Sequence, residues 1–248
     1  MAVRLLPFQF PGLSAVRCAF QLRASAGGPL DGGSISFTAG PGLQEVEASR
    51  RDFLAQCGLD DWCEINQVHG DRMIFEPERV APDAQPSPEA NADGMATSQK
   101  GRALLVKTAD CQPLLVAHRS GRFVAALHVG WRGNRMLFPF TGVRAFCGHY
   151  GIKPADCLAV RGPSLGPAKA EFIHFAKEWG WYFRSYYDAR TQTVDLWNMT
   201  RDQLAQAGIP RGAIYGIDLC TGTNSSLLFS YRADHGCGRQ GSLIWIAE

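Results

Sequence analysis

Between Trp62 and Val129 the chain offers five short runs dense in Val, Leu, Ile and Phe: Trp62 to Val68, Arg72 to Phe75, Ala103 to Lys107, Pro113 to Ala117 and Phe123 to Val129. Runs of this length and composition favour β-strands. Arg119-Ser120-Gly121-Arg122 between the last two reads as a tight hairpin turn, which would set those strands side by side. Helical patterns surround this block. Leu43 to Cys57 carries Val46, Phe53, Leu54 and Cys57 at helical spacing and stops before Gly58. A second helical stretch follows Gly133 through Met136, Phe140, Val143 and Phe146, with Pro139 either in its first turns or at a kink. Further helices are expected at Pro167 to Trp179 and Leu196 to Ala207, and strands at Leu158 to Arg161, Ala213 to Leu219 and Ser242 to Ile246. Strands in the middle, interspersed helices and no internal repeat predict a mixed α+β or α/β fold.

With 248 residues, 46% of them hydrophobic and 19% charged, the chain is long enough for one globular domain spanning 1–248. The proline-containing stretch Ala81 to Ala92 reads as a surface loop within it. A net charge of +2 without a Lys or Arg run gives no support to nucleic-acid binding. Lys100, Lys107, Lys153, Lys169 and Lys177 are the lysines, so most of the positive charge is Arg, which suits bidentate recognition of phosphate or carboxylate. Eight cysteines without a C-x-x-C pair favour reduced thiols over a disulfide framework. Met1 to Phe10 lacks a sustained apolar region and no stretch approaches the roughly 20 apolar residues of a membrane span. The expectation is a soluble, cytoplasmic protein, a monomer or small homo-oligomer with small-molecule partners.

Three segments carry chemistry: Gln67-Val68-His69-Gly70, Thr108-Ala109-Asp110-Cys111-Gln112-Pro113 and His128-Val129-Gly130-Trp131-Arg132-Gly133. Each sets one His or Cys beside strand-like residues and a turn. Two imidazoles and a thiolate form a borderline-soft donor set that leaves a tetrahedral zinc ion one open position. The same residues permit a metal-free alternative in which Cys111 is a nucleophile, His128 its base and His69 the orienting group. Asp93 and Asp110 are both candidates to receive a ligand imidazole N–H or to move a proton, and the sequence does not choose between them. Trp131 suits either a purine-stacking wall or the core. His118, His149, His174 and His235, and every cysteine except Cys111 and Cys220, read as structural.

These segments, with Phe20 to Gly28, Asp93-Gly94, Gly162-Pro163-Ser164-Leu165-Gly166-Pro167, Asp195-Leu196, Cys220-Thr221 and Phe229-Ser230-Tyr231-Arg232 through Gly238-Arg239 to Trp245, resemble the laccase-domain proteins. That family was first described as polyphenol oxidases and later as purine nucleoside phosphorylases with adenosine deaminase side activity. The resemblance implies a layered α/β/β/α sandwich and a His69, Cys111, His128 zinc centre. It further implies phosphorolysis of adenosine, inosine or guanosine, adenosine deamination and cleavage of methylthioadenosine. Such chemistry needs anion contacts, for which Arg23, Arg132, Arg232 and Arg239 are the candidates, and catalysis would draw on Cys111, His128, His69 and Asp110.

The chain departs from the family pattern at Ser34-Ile35-Ser36, at Ser49-Arg50, at Ala168-Lys169-Ala170-Glu171 and at Arg232-Ala233, which implies altered substrate orientation. Two other activities compete. The donors would also take copper, as a polyphenol oxidase requires, yet six histidines and no His-x-His pair are too few for a multi-copper array. The metal-free Cys–His reading suits an amidase acting on peptidoglycan precursors, to which the family has been linked. A non-catalytic zinc-bound interaction module ranks last, because glycines open space beside two of the three segments.

Overall fold

The computed structural model describes residues 3–23 and 32–248, so the part of the Phe20 to Gly28 segment beyond Arg23 lies outside it. Strands β1 (Arg4–Phe8) and β2 (Val16–Leu22) precede helix α1 (Leu43–Cys57). Then come β3 (Trp62–Cys63), β4 (Met73–Phe75), β5 (Arg79–Val80), β6 (Gly94–Thr97), β7 (Leu104–Thr108), β8 (Gln112–His118) and β9 (Val124–Val129). Helices α2 (Trp131–Arg135) and α3 (Phe138–Tyr150) lead to β10 (Cys157–Arg161), α4 (Phe175–Glu178), β11 (Tyr187–Asp188), β12 (Thr193–Val194), α5 (Leu196–Ala207), β13 (Ile214–Gly216) and β14 (Gln240–Ile246).

The strands form two mixed six-stranded sheets, ordered β1-β2-β14-β7-β3-β5 and β13-β10-β8-β9-β6-β4, with β11 and β12 as a separate pair. Period-two alternation stacks them. In the first sheet Leu104, Val106, Ile244, Cys18 and Phe20 join the core shared with the second sheet, whereas Leu105, Leu243 and Ala19 face the opposite way onto Phe53 and Leu54 of α1. On the far side of the second sheet, Phe138, Val143 and Phe146 of α3 and Leu204 of α5 complete the shared core. The result is the expected α/β/β/α layering, with α1 outside one sheet and α3 and α5 outside the other. Among the described residues no helix is long and apolar enough to cross a membrane.

The α1 and α5 helices have the expected bounds, Gly58 closes α1 in the left-handed conformation, and Pro139 lies in the first turn of α3. Three expectations are corrected. The strand expected over Trp62 to Val68 ends at Cys63, because the Gln67 amide replaces further pairing: its Nε2 donates to Lys107 O at 2.7 Å and its Oε1 accepts Lys107 N–H at 2.8 Å. The helix expected over Pro167 to Trp179 shrinks to Phe175–Glu178. The spacing of Phe172, Phe175 and Trp179 reflects their place in an aromatic cluster, while the Phe172 and Val194 amides bond outside any helix to Gln192 O at 2.8 Å and Ala170 O at 2.9 Å. Similarly, the strand expected over Ala213 to Leu219 is only Ile214–Gly216.

The sheets pack tightly beside Gly162, where a Cβ would stand 2.3 Å from Phe20 Cε1 and 2.8 Å from Pro113 Cγ. Gly162→Ala is therefore expected to destabilise the fold by about 1–3 kcal/mol through overpacking. Gly212→Ala, with nothing within 4 Å of its Cβ, should change stability much less. Thermal or denaturant unfolding of the two variants checks the contrast.

Candidate functional site

The Asp93 carboxylate, fully buried just ahead of β6, organises one end of the second sheet. Its Oδ1 accepts the His69 N–H at 3.0 Å and the His128 ring at Nδ1, 2.7 Å away; its Oδ2 accepts the Val68 and Gly70 N–H groups at 3.2 and 2.6 Å. The three consecutive amides hold the 68–70 turn with His69 at φ 59°, a left-handed conformation uncommon outside glycine. That turn presents His69, which is exposed. The ring bond gives Nδ1 of His128 to the carboxylate and leaves Nε2 as its free nitrogen. Asp93 thus takes the orienting role that the sequence left open between it and Asp110.

Cys111 lies where the chain leaves β7 of one sheet and enters β8 of the other. Asp110, at φ 85°, makes the turn. Its carboxylate accepts from Thr221 Oγ1 at 2.6 Å, Ser230 Oγ at 2.7 Å and the Arg232 N–H at 2.6 Å, and its carbonyl accepts the Leu165 N–H at 2.9 Å. The carboxylate ties two distant loops together, and the carbonyl adds a third. The Cys220-Thr221, Ser230-Tyr231-Arg232 and Ser164-Leu165 motifs therefore converge on one residue. Cys220 itself accepts the Gly166 N–H through its sulfur at 3.2 Å.

His69, Cys111 and His128 offer ligand atoms that all lie within 4.8 Å of one another, with Cys111 Sγ 3.9 Å from His69 Nε2. The hairpin brings two of them together, since Pro113 pairs with His128 across β8 and β9. Gly130 clears the space behind them: a Cβ there would stand 2.9 Å from Cys111 Sγ and 3.2 Å from His69 Cδ2. Two nitrogens, one sulfur, a carboxylate on the second nitrogen of one imidazole and a backbone cradle fit a metal ion, with small side-chain adjustments to reach metal–ligand distances of about 2.0–2.3 Å.

Without metal the cluster is an ion pair. Burial opposes the Cys111 thiolate, but the charge and hydrogen bond of His128, aided by His69, bring the thiol down to about 6. Burial likewise opposes the His128 imidazolium, which the Cys111 charge and the Asp93 bond nevertheless raise to about 9. Asp93 is held below the usual carboxylate range against its own burial by the His128 bond and charge and by the Gly70 and Val68 amides.

The three residues lie in a cavity of about 710 Å³. Arg132, Arg232 and Arg239 line it, as does Asp110. Arg132 stacks on Trp131, with its Cζ 4.5 Å from the ring centroid. Arg232 donates to Glu171 O at 3.0 Å, and Arg239 to Cys237 O and Gly238 O at 2.7 and 2.9 Å. Arg23 is not brought to the cavity wall; it donates to Ser225 O at 2.6 Å and lies 4.8 Å from the Phe229 ring centroid. Trp131 lines the cavity and also packs 5.9 Å from the Phe172 ring centroid. Three contributors escaped the sequence reading: His235, Glu64 and Lys107 all line the cavity. His235 had no adjacent strand to mark it, and Glu64 and Lys107 sit within strand-like runs that read as core.

In chelator-treated protein, the lowered thiol should make iodoacetamide alkylation of Cys111 half-maximal near pH 6 and fast at pH 7, since the reactive thiolate exists above the thiol pKa. Cys57 and Cys63, pushed by burial to about 12, should react slowly. His128→Gln should move the Cys111 midpoint upward, because burial remains when the countercharge is gone. Mass spectrometry of quenched time points measures each rate.

A family model described as multi-copper polyphenol oxidoreductase laccase matches residues 17–247. A Shigella flexneri protein named purine nucleoside phosphorylase YfiH is 31% identical over 231 residues, 88% of each chain, and the Escherichia coli K12 protein of the same name is 30% identical over the same share. Among solved structures, Neisseria meningitidis NMB0706 superposes with a TM-score of 0.81 at 25% identity, covering 98% of this chain and 99% of that one. YlmD from Geobacillus stearothermophilus superposes with a TM-score of 0.80 at 23% identity over 96% and 94%. With every strand from β2 onward, apart from Val16, and its His–Cys–His cluster inside that match, the chain belongs to the multi-copper polyphenol oxidoreductase laccase family.

Proposed function

We propose that the chain is a zinc-dependent purine nucleoside phosphorylase that also deaminates adenosine and cleaves methylthioadenosine. The observation that carries this reading is the His69, Cys111, His128 cluster opening into an arginine-lined cavity, in a chain about 30% identical to proteins named purine nucleoside phosphorylase. Zinc held by these three residues would supply a Lewis acid and a water activated near neutral pH.

The protein groups divide the remaining work. Asp93 orients His128 and fixes the His69 turn. Asp110, saturated by Thr221, Ser230 and Arg232, positions Cys111. Trp131 and Phe172 provide an aromatic wall for a purine. Arg132, Arg232 and Arg239 retain N–H groups for anionic oxygens. In phosphorolysis a phosphate oxygen bonds to the anomeric carbon while the glycosidic C–N bond breaks and its electron pair leaves with the purine. Cations on the wall hold the nucleophile in line and offset its charge. Purine nucleosides and inorganic phosphate are then the small-molecule partners.

The Cys111–His128 ion pair supports a second reading, a metal-free Cys–His hydrolase or amidase acting on peptidoglycan precursors. A copper oxidase has weaker support, since the cavity contributes His69, His128 and His235 rather than a multi-copper ligand array.

Purified protein incubated with adenosine should yield adenine only when phosphate is present, and inosine without it, as separated by liquid chromatography. Cys111→Ala should abolish both products. Intact adenosine throughout would sink the proposal, and activity that survives full chelation would favour the Cys–His reading. Asp93→Asn should weaken zinc binding by about 10–100-fold, as removal of a carboxylate behind a metal-bound His commonly does. Competition with a fluorescent chelator measures that loss.

A further inference from the structure

The buried charges beneath the cavity do not cancel. Glu64 is 3% exposed and faces two cations: Arg50 at 2.5 Å from its Oε2, and Lys107, whose Nζ bonds its Oε1. Arg50 is wholly buried, with its Cζ 4.5 Å from the Phe37 and 4.8 Å from the Trp62 ring centroid. It also donates to Ile35 O at 3.0 Å and Ala84 O at 3.2 Å. Trp62 is a third partner of Glu64, its Nε1 donating 3.1 Å from Oε2. One buried carboxylate requires one countercharge, and Arg50 supplies it through hydrogen bonds and aromatic stacking. Lys107 is the surplus cation.

Its placement is specific. The Lys107 side chain is 19% exposed and lines the cavity. Among the described residues its Nζ has Glu64 as its only partner, so two of its three donors remain available. The Gln67 amide clamps its backbone on both N–H and C=O. Ser36 and Thr38, whose hydroxyls lie 3.1 Å apart, line the same cavity.

We infer that Lys107 is an anion-binding residue of the cavity, held in place by Glu64, and that the anion it takes is the phosphate co-substrate. This rests on the phosphorylase reading for the identity of the reaction, but phosphate binding can be measured apart from turnover. Neither the Arg50–Glu64 pair nor the His–Cys–His cluster needs Lys107, so Lys107→Gln should fold.

The test is calorimetric titration of inorganic phosphate into the wild type, Lys107→Gln and Lys107→Arg in chloride buffer, with thermal unfolding to verify the fold. Lys107→Gln should bind phosphate about tenfold more weakly, as expected for loss of one charge-assisted contact. Lys107→Arg should recover most of the affinity. In steady-state assays the KM for phosphate should rise by a similar factor, with the KM for adenosine within about twofold of wild type. Equal phosphate affinity in wild type and Lys107→Gln, or no phosphate binding by the wild type, overturns the inference. If phosphate binding depends on Lys107 but no phosphate-dependent adenine forms, the anion site stands and the phosphorylase reading falls.

Discussion

A single buried carboxylate holds the centre of this molecule together. Asp93 receives three consecutive backbone amides and one imidazole, and each bond serves a different purpose. The amides offset a left-handed residue at His69, a conformation that costs roughly 1–2 kcal/mol in a side-chain-bearing residue. The imidazole bond selects which nitrogen of His128 faces its partners. The carboxylate is in turn satisfied by four donors, which is what allows a charge to be buried there. Loop, strand and ligand geometry thus depend on one another through two oxygen atoms.

Asp110 repeats the device one strand away. Like His69, it sits in the left-handed region, and like Asp93 it collects donors from segments remote in sequence, at Thr221, Ser230 and Arg232. Asp93 bonds His128 of the cluster directly, whereas Asp110 adjoins Cys111 along the chain. Around them the cavity is strongly biased toward anions, because Lys107, Arg132, Arg232 and Arg239 outnumber Glu64 and Asp110 on its wall. That bias explains a protein of modest net charge that nonetheless keeps positive groups together at one place.

The His69, Cys111 and His128 cluster was legible because each member stands beside a glycine or a strand end, and the α1 and α5 helices because both have unambiguous periodicity and stop at glycine. What the sequence could not give is partnership over distance. Nothing near Asp93 says that its acceptors are filled by residues 23 to 35 positions away, and nothing near Lys107 says that Glu64 lies beside it. The Phe172, Phe175 and Trp179 spacing mimicked a helix because cluster packing can satisfy the same apolar positions without helical hydrogen bonds. Gln67 ended an expected strand by substituting its own amide for the backbone ladder, a choice that depends on where Lys107 is in space.

The crossover at Ala109 to Cys111 links one sheet to the other through the very residue that carries the sulfur donor. His128 rides on the second sheet, while His69 is tethered to the first through Gln67 and to the second through Asp93. The donor triangle consequently works as a gauge of how the sheets are seated on each other. Any sliding of one against the other would alter its sides. Apolar residues deep between the sheets, such as Phe20 and Val106, therefore set the aperture of a centre they never touch.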